Sequence, residues 1–448
     1  MEICENVSDD FSRNDCGRQF ARIILEKNIE EFNAIVATLK KFSSPVIAHI
    51  IYEIKSNINK VSSYDILICT CLEILDDMMD RNKIDRELSK AIFYLISAIN
   101  IQDEDMVTKI LTSIKPWLFK FIDTEDTFSG KQNILNNLIN YGDFDKLTVM
   151  INCFVTLRKI KGITLTDEDI KLFKDVLESD NNQKIICYTF CYHYQKIKYI
   201  AGNKSNEIFN LIFSDNETDL ISLMMCTLNS NYIFDELVDK IKKEYLSGHI
   251  TISSEFKEDV LKSNFYSYLI SAYYYKRITQ EDLQNAFEYP DFVDYFLRHI
   301  VRWSEKENFA WENWLVPCWK YIRNNYDEKS QKKFADLILH SVDDVSAPTE
   351  QILDLFIDAA EKCTTRYSIY GKTQKIIRFF DVNPQKALKL IELILTLNGF
   401  ITEDDLKIII GKYRELNLER EAHTLLNTLS KNGEISNATK EKFAKLLM

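Results

Sequence analysis

Residues 303–319 read Trp-Ser-Glu-Lys-Glu-Asn-Phe-Ala-Trp-Glu-Asn-Trp-Leu-Val-Pro-Cys-Trp and hold four of the chain's five tryptophans. Large apolar residues recur here every three or four positions, the spacing that places side chains on one face of an α-helix. They are Phe292, Phe296, Ile300 and Trp303 before the turn, and Trp311, Trp314, Leu315, Cys318 and Ile322 after it. The pattern predicts two helices whose apolar faces meet across the polar turn of residues 305–308.

Pro317 falls inside the second of these helices. Proline has no N–H, and its ring clashes with the carbonyl of the residue four positions earlier, which here is Asn313. We therefore expect the helix to kink or to restart at this point.

The tryptophans support two interpretations. Aromatic residues at helical spacing are most often buried in a core. Trp and Arg are also favoured at the centres of protein interfaces, and basic residues frame this stretch. The second interpretation predicts exposed aromatics in one partner-binding groove, formed by Arg302, Trp303, Trp311, Trp314, Trp319, Lys320 and Arg323.

The composition indicates an all-helical protein. Apolar residues make up 46% of the 448 residues and charged residues 28%, as in globular chains. The chain has only 10 glycines and 6 prolines, below the usual shares of about 7% and 5%. Large sheets and nucleotide-binding loops need these turn residues, whereas helices joined by short polar turns do not.

Cap signals punctuate the chain. Thr166 with Asp169, Thr279 with Asp282, Thr402 with Asp405 and Ser62 with Asp65 resemble capping boxes, and Ser44-Pro45 predicts an N-cap followed by proline. No segment alternates long enough to predict a sheet. Short turns make successive helices antiparallel, and each hairpin needs neighbours to bury its apolar faces. We therefore expect an elongated α-solenoid of stacked hairpins.

The segment 201–205, Ala-Gly-Asn-Lys-Ser, is the best candidate for a joint between two halves. The expected organisation is a frayed N-terminus over residues 1–13 and two helical-repeat regions, 14–200 and 206–448.

Residues 383–395, Asn-Pro-Gln-Lys-Ala-Leu-Lys-Leu-Ile-Glu-Leu-Ile-Leu, and the two helices predicted after them resemble the hairpins of tetratricopeptide- and HEAT-type α-solenoids. The rest of the chain is similar only in style. It has neither a strict 34-residue period nor the Trp-Leu-Gly/Tyr consensus, so the repeats would be degenerate. The resemblance implies a non-enzymatic scaffold or recognition module. An irregular solenoid of this sort is also similar to the sensing portions of bacterial NTPase-linked defence proteins. This second resemblance implies a sensor or regulatory subunit as an alternative.

Asp76-Asp77-Met78-Met79-Asp80 resembles the first aspartate-rich motif of prenyl-diphosphate synthases and class I terpene synthases. In that resemblance Asp76, Asp77 and Asp80 would hold Mg²⁺ against a diphosphate. The second acidic motif of those enzymes is missing, and the nearest string, Asp343-Asp344-Val345-Ser346, departs from it. A helical Mg²⁺-dependent diphosphate enzyme is therefore kept as a further alternative.

Two other short patterns are weak. Gly371-Lys372-Thr373 lacks the first glycine of a phosphate-binding loop, because Arg366 stands at that position. Its basic side chains, Lys372, Lys375 and Arg378, are assigned instead to the candidate partner-binding surface. Cys187, Cys191 and His193 lack the fourth ligand that structural zinc requires. We predict no metal ligands, no cofactor and no catalytic residues.

The net charge and the cysteine content limit which partners and which cellular compartment are plausible. The formal net charge is −12, which argues against nucleic acid as the partner. The 10 cysteines are scattered through apolar patterns, as buried free thiols in a reducing compartment would be. The N-terminus is acidic, and no apolar run approaches the ~20 residues that span a bilayer. We expect a cytoplasmic, non-enzymatic chain that contacts no membrane and binds another protein.

Overall fold

The structure is a computed structural model. It describes residues 10–61, 64–119, 142–178, 183–213, 220–228, 230–248, 259–306, 309–345, 348–363, 376–396 and 401–447. Within these ranges every regular element is a helix, which confirms the predicted all-α class.

The helices up to residue 246 are mostly amphipathic and of two to five turns. They are α1 (Asp10–Leu25), α2 (Ile29–Val36), α3 (Ser44–Ser56), α4 (Asp65–Asp80), α5 (Arg86–Ala98), α6 (Glu104–Ile114), α7 (Gly142–Lys161), α8 (Asp167–Leu177), α9 (Gln183–Tyr192), α10 (Tyr194–Ala201), α11 (Ser205–Ile212), α12 (Leu220–Leu228) and α13 (Asp235–Ile241). Helix α6 continues as a 3₁₀ helix, Lys115–Phe119, and α13 continues as a π-helix, Lys242–Leu246.

The remaining helices follow the same scheme. They are α14 (Asp259–Tyr274), α15 (Gln280–Ala286), α16 (Pro290–His299), α17 (Val301–Ser304), α18 (Trp311–Asn325), α19 (Glu328–His340), α20 (Glu350–Lys362), α21 (Pro384–Thr396), α22 (Glu403–Glu415), α23 (Glu419–Lys431) and α24 (Asn437–Ala444). A 3₁₀ helix, Ile377–Asp381, precedes α21.

The predicted caps set several helix starts. Thr166 and Asp169 form a reciprocal capping box at the start of α8, and Thr279 and Asp282 form another at α15. In each, the hydroxyl accepts from the N3 backbone N–H while the aspartate accepts from the threonine N–H. Thr402 likewise accepts from the Asp405 N–H.

Three local expectations need correction or fall outside the description. Helix α3 takes Ser43 as its N-cap residue, one position before the predicted Ser44, and Pro45 lies in the first turn. Residue 62 is outside the described ranges, and α4 begins at Asp65. Residues 1–9 are also outside them, whereas residues 10–13, predicted to be frayed, form the first turn of α1.

The chain divides into two compact units. One comprises residues 1–245 and 249–268, and the other comprises residues 246–248 and 269–448, so the division falls within α14. The expected joint at residues 201–205 lies inside the first unit, where α10 ends at Ala201, α11 begins at Ser205, and these two helices pack against each other.

Within each unit, helices pack against helices two or three positions further along the chain as well as against sequence neighbours. In the first unit α1 packs on α3, α3 on α5 and α5 on α7, while α2 packs on α4 and α4 on α6. In the second unit α16 packs on α19, α18 on α20, and α20 on both α19 and α21. Helices α3, α5 and α20 thereby each contact more than one other helix.

The cores are aromatic and aliphatic. In the first unit Trp117 is fully buried and packs edge-to-face with Phe93, with 5.7 Å between the ring centroids, and the centroids of Phe173 and Phe190 are 5.2 Å apart. Eight cysteines of the described ranges, from Cys69 to Cys363, form no disulfide there, and six of them are buried. No described helix combines the length and apolar character needed to cross a membrane.

Candidate functional site

The tryptophans of residues 303–319 form one aromatic cluster in the second unit. Trp314 lies at its centre, stacked on Phe296 at 6.0 Å and on Trp303 at 6.3 Å between ring centroids. Phe309 and Trp311 pack edge-to-face with 5.2 Å between ring centroids, and the centroids of Phe309 and Trp314 are also 5.2 Å apart. The predicted contact between the two apolar faces is therefore present, with Phe296 and Trp303 on one side and Trp314 on the other.

Burial divides the cluster. Trp311, Trp314 and Trp319 are each only 4% exposed, so these three indoles are core packing and offer almost no surface to a partner. Trp303 is half-buried. Of the four tryptophans in the expected groove, Trp303 alone reaches the surface to a substantial extent.

Pro317 lies in the middle of one continuous helix, α18, so the expected restart does not occur. Because proline donates no hydrogen bond, the carbonyl of Asn313 loses its helical partner. The hydroxyl of Tyr273, at the end of α14, donates to this carbonyl oxygen at 3.0 Å. Burial raises the pKa of Tyr273, which keeps its phenol protonated as a donor. A side chain from another helix thus replaces the missing backbone hydrogen bond.

A second polar contact holds the end of the cluster. The Trp319 indole N–H donates to Asp358 Oδ2 at 2.7 Å, and the Arg323 guanidinium donates to Asp358 Oδ1 at 2.5 Å. The guanidinium also lies 5.9 Å from the Trp319 ring. One carboxylate on α20 therefore satisfies the buried indole N–H and neutralises the neighbouring cation.

The exposed end of the cluster was missed from the sequence. Tyr275 is 60% exposed and lies 5.1 Å from the Tyr274 ring, which in turn lies 5.1 Å from Trp303. Tyr274, Tyr275 and Trp303 form what we call the aromatic edge. The available signal was the run of three tyrosines at 273–275 followed by Lys276 and Arg277.

The predicted basic positions are dispersed. Arg302, Lys320 and Arg378 are exposed, whereas Arg323 is half-buried in its pair with Asp358. Lys372 and Lys375 lie outside the described residues. Of the six, Arg302 is the one adjacent in sequence to the aromatic edge.

The three aspartates of the candidate Mg²⁺ motif lie exposed on α4. Asp77 pairs with Arg81 at 3.5 Å, and Asp76 accepts a hydrogen bond from Ser113 of α6 at 3.3 Å. Partial burial, with smaller effects from Asp80, Asp77 and Glu73, raises the pKa of Asp76. In the described part of the chain, no three His, Cys, Asp or Glu side chains come together as a metal-binding group.

Cys187, Cys191 and His193, the weak zinc pattern, do not form a metal-binding group of three or more among the described residues. The Cys187 thiol lies 3.6 Å from the carbonyl oxygen of Ile212, and Cys191 is buried. His193 is 4% exposed, and its Nε2 lies 2.9 Å from the Thr148 hydroxyl. Burial, with a smaller effect from Lys196, lowers the pKa of His193 to about 3, so the imidazole is neutral near neutral pH.

Comparison with known proteins adds little to this geometry. No protein-family model matches the chain, and no curated protein matches it. The crystal structure of an engineered protein aligns with 99% of this chain and 96% of its own, with 12% identity and a TM-score of 0.29. That similarity is too low to carry an argument about fold or function.

Proposed function

We propose that the chain is a non-enzymatic interaction module that binds another protein at the aromatic edge, Tyr274, Tyr275 and Trp303. The main support for this proposal is an unbroken series of ring contacts that runs from a solvent-exposed tyrosine to the buried core. Tyr275 contacts Tyr274, Tyr274 contacts Trp303, and Trp303 stacks on buried Trp314. Rings held by packing lose little further freedom on binding, which lowers the entropic cost of association.

Charge indicates the chemistry of the partner. Lys276, Arg277 and Arg302 are exposed beside the edge in sequence, as are the acidic residues Glu281 and Glu305. The basic residues directly adjacent in sequence to the rings, Lys276 beside Tyr275 and Arg302 beside Trp303, favour a partner segment with carboxylates around an apolar anchor. Tyr, Trp and Arg are the residues enriched at interface hot spots.

The helix packing supports a scaffold role. The contacts of α1 with α3, α3 with α5, α2 with α4, α4 with α6 and α18 with α20 follow the order that stacked hairpins produce. We propose a degenerate α-solenoid on this basis. A sensor or regulatory subunit would use the same kind of surface.

The test is affinity capture from a lysate of the source cells with the wild-type chain and two variants of the edge, Tyr275→Ala and Arg302→Glu. Both side chains are exposed, so the variants should fold, and circular dichroism with thermal melting checks that they do. A captured protein should be lost or reduced at least about tenfold by each variant, the effect of roughly 1.4 kcal/mol at a hot spot.

The matched control is Tyr232→Ala, which removes a tyrosine that is 65% exposed and lies outside the aromatic edge. It should retain the partner. Raised salt should weaken capture by the wild type, because the proposed contact is partly ionic. Equal capture by wild type and both edge variants would refute the assignment of this surface.

A further inference from the structure

A cavity of about 270 Å³ lies in the first unit between α5, α6, α7 and α10. Its apolar wall includes Ile96, Ile99, Val107, Val149 and Cys153. Its polar wall is formed by Ser97, Asn100, Asn152, Thr156, Lys159 and Lys196. No aspartate or glutamate is among the residues that line it, although the chain has twelve more acidic than basic residues.

Lys159 and Lys196 differ from the cations around them. Lys161 pairs with Glu104, Lys198 pairs with Glu236, and Arg158 donates to the carbonyl of Gly162. Lys159 and Lys196, in contrast, have no carboxylate within ion-pair distance among the described residues. Both lysines reach solvent, and partial burial, followed by repulsion from Lys159, lowers the pKa of Lys196. A bound anion would relieve this repulsion.

The neighbouring amides are oriented as donors. Lys196 Nζ donates to Asn152 Oδ1 at 2.9 Å, and Gln102 Nε2 donates to Asn100 Oδ1 at 2.7 Å. Because each of these amide oxygens accepts a hydrogen bond, the NH₂ groups of Asn152 and Asn100 are left to donate. Two lysines and two asparagines therefore line one small cavity, a set of side chains that suits an anion with several acceptor oxygens.

We propose that this cavity binds a small phosphomonoester, with Lys159 and Lys196 on the phosphate and the apolar wall against its organic group. Two lysine charges match the charge of approximately −1.5 to −2 that a phosphomonoester carries at pH 7, better than the single charge of a carboxylate. The volume lies just below the roughly 300–1,000 Å³ of drug-sized ligand sites, which limits the organic group to about one ring.

The experiment is isothermal titration calorimetry of the full chain with phenyl phosphate, inorganic phosphate and phenol. Phenyl phosphate should bind at one saturable site, inorganic phosphate at least about tenfold more weakly because it leaves the apolar wall unused, and phenol without saturation. Lys196→Gln and Lys159→Gln should each weaken phenyl phosphate binding by about tenfold or more, as expected for a lost charge-assisted hydrogen bond. Lys196→Arg should retain most of the affinity.

The control is Lys171→Gln, which removes one exposed lysine charge from α8 without touching the cavity. It should leave phenyl phosphate binding within about twofold, a change well below 1.4 kcal/mol. Absence of saturable binding at low millimolar phenyl phosphate, or equal affinity in the wild type and both glutamine variants, would overturn the proposal. Equal affinity for phenyl phosphate and inorganic phosphate would overturn the role of the apolar wall.

Discussion

At the scale of single residues, the core of the aromatic cluster depends on two polar groups that reach it from other helices. Tyr273 supplies the donor for the Asn313 carbonyl, and Asp358 supplies the acceptor for the Trp319 indole N–H. Each satisfies an atom that would otherwise lack a partner inside the protein. Trp319 is buried, so the loss of its acceptor costs more than the net contribution of an ordinary hydrogen bond, whereas Asn313 is exposed and water can replace part of its lost bond.

Tyr273→Phe should lower the free energy of unfolding by about 1 kcal/mol, because the Asn313 carbonyl would then have neither a helical nor a side-chain donor. In the Pro317→Ala background residue 317 regains its N–H, so the same change should cost less than about half as much. Urea unfolding followed by circular dichroism measures both. Identical costs in the two backgrounds would show that the hydroxyl does not compensate for the proline.

Asp358→Ala should destabilise the chain by about 1–2 kcal/mol, chiefly because the buried Trp319 N–H loses its acceptor. The pair with Arg323 adds little, since Asp358 is 39% exposed and solvent screens it. Asp354→Ala, on the same helix, removes a 55%-exposed carboxylate paired with Lys386 and should cost under about 0.5 kcal/mol. Equal losses in the two variants would contradict the role of the indole.

His193 should make the protein sensitive to acid. Its pKa is about 3 in the folded chain and about 6.5 when unfolded, so the unfolded chain binds the proton more strongly. The contribution of neutral His193 to the unfolding free energy is therefore at its maximum above pH ~6.5. Below that pH it decreases toward pH ~3, by up to about 1.4 kcal/mol per pH unit.

The measurement for His193 is urea unfolding between pH 7 and pH 5, a range set by the unperturbed imidazole value of about 6.5. His193→Gln, which can still hydrogen-bond Thr148, should flatten the slope. His340→Gln, which changes an exposed histidine, should leave the slope unchanged. A wild-type stability that does not vary over this interval would contradict a buried neutral imidazole.

At the scale of elements, the start of a helix is set by residues next to each other in sequence. Thr279 and Asp282 cap α15 within four residues, so the sequence could predict that box and the similar one at α8. The continuity of α18 through Pro317 could not be predicted, because it depends on Tyr273, which lies forty residues from Asn313. The exposed Tyr275 was missed for the same reason: helical spacing identifies an apolar face but not which end of it meets solvent.

Thr279→Ala should destabilise the chain by about 1 kcal/mol, since it leaves an N-terminal backbone N–H of α15 without an acceptor. Thr424→Ala changes an exposed threonine inside α23, whose hydroxyl bonds only to the Arg420 carbonyl of its own helix. It should be neutral or slightly stabilising, because alanine has the higher helix propensity. Thermal melting compares the two, and a shift of the same sign and size would contradict the capping argument.

At the scale of the whole molecule, the all-helical class followed from composition and spacing, whereas the candidate sites did not. A low glycine and proline content restricts the fold class regardless of how the helices pack. The cavity with Lys159 and Lys196 joins residues 96–107, 149–159 and 196, which no local pattern connects. Burial of Trp311 and Trp319 likewise depends on which helices cover α18.

The cysteines provide a test of packing across the whole chain. Burial raises the pKa of Cys71 and of Cys153 to about 12 and that of Cys318 well above its usual range, which suppresses the reactive thiolate. In Ellman's assay without reductant, these thiols should react only after unfolding in guanidinium chloride. In the unfolded chain all 10 thiols should react with the reagent, and a smaller number of reacting thiols would reveal a disulfide.

The proline inside α18 also bears on how the protein acquires its structure. A helix that lacks one of its backbone hydrogen bonds is less stable on its own, because nucleation is costly and one of the bonds that offset this cost is missing. The replacement bond comes from Tyr273, so α18 and the end of α14 are stabilised by forming together. Pro317 thereby converts a local folding event into a cooperative one: the helix that carries three of the five tryptophans is complete only once the neighbour that contacts them is in place.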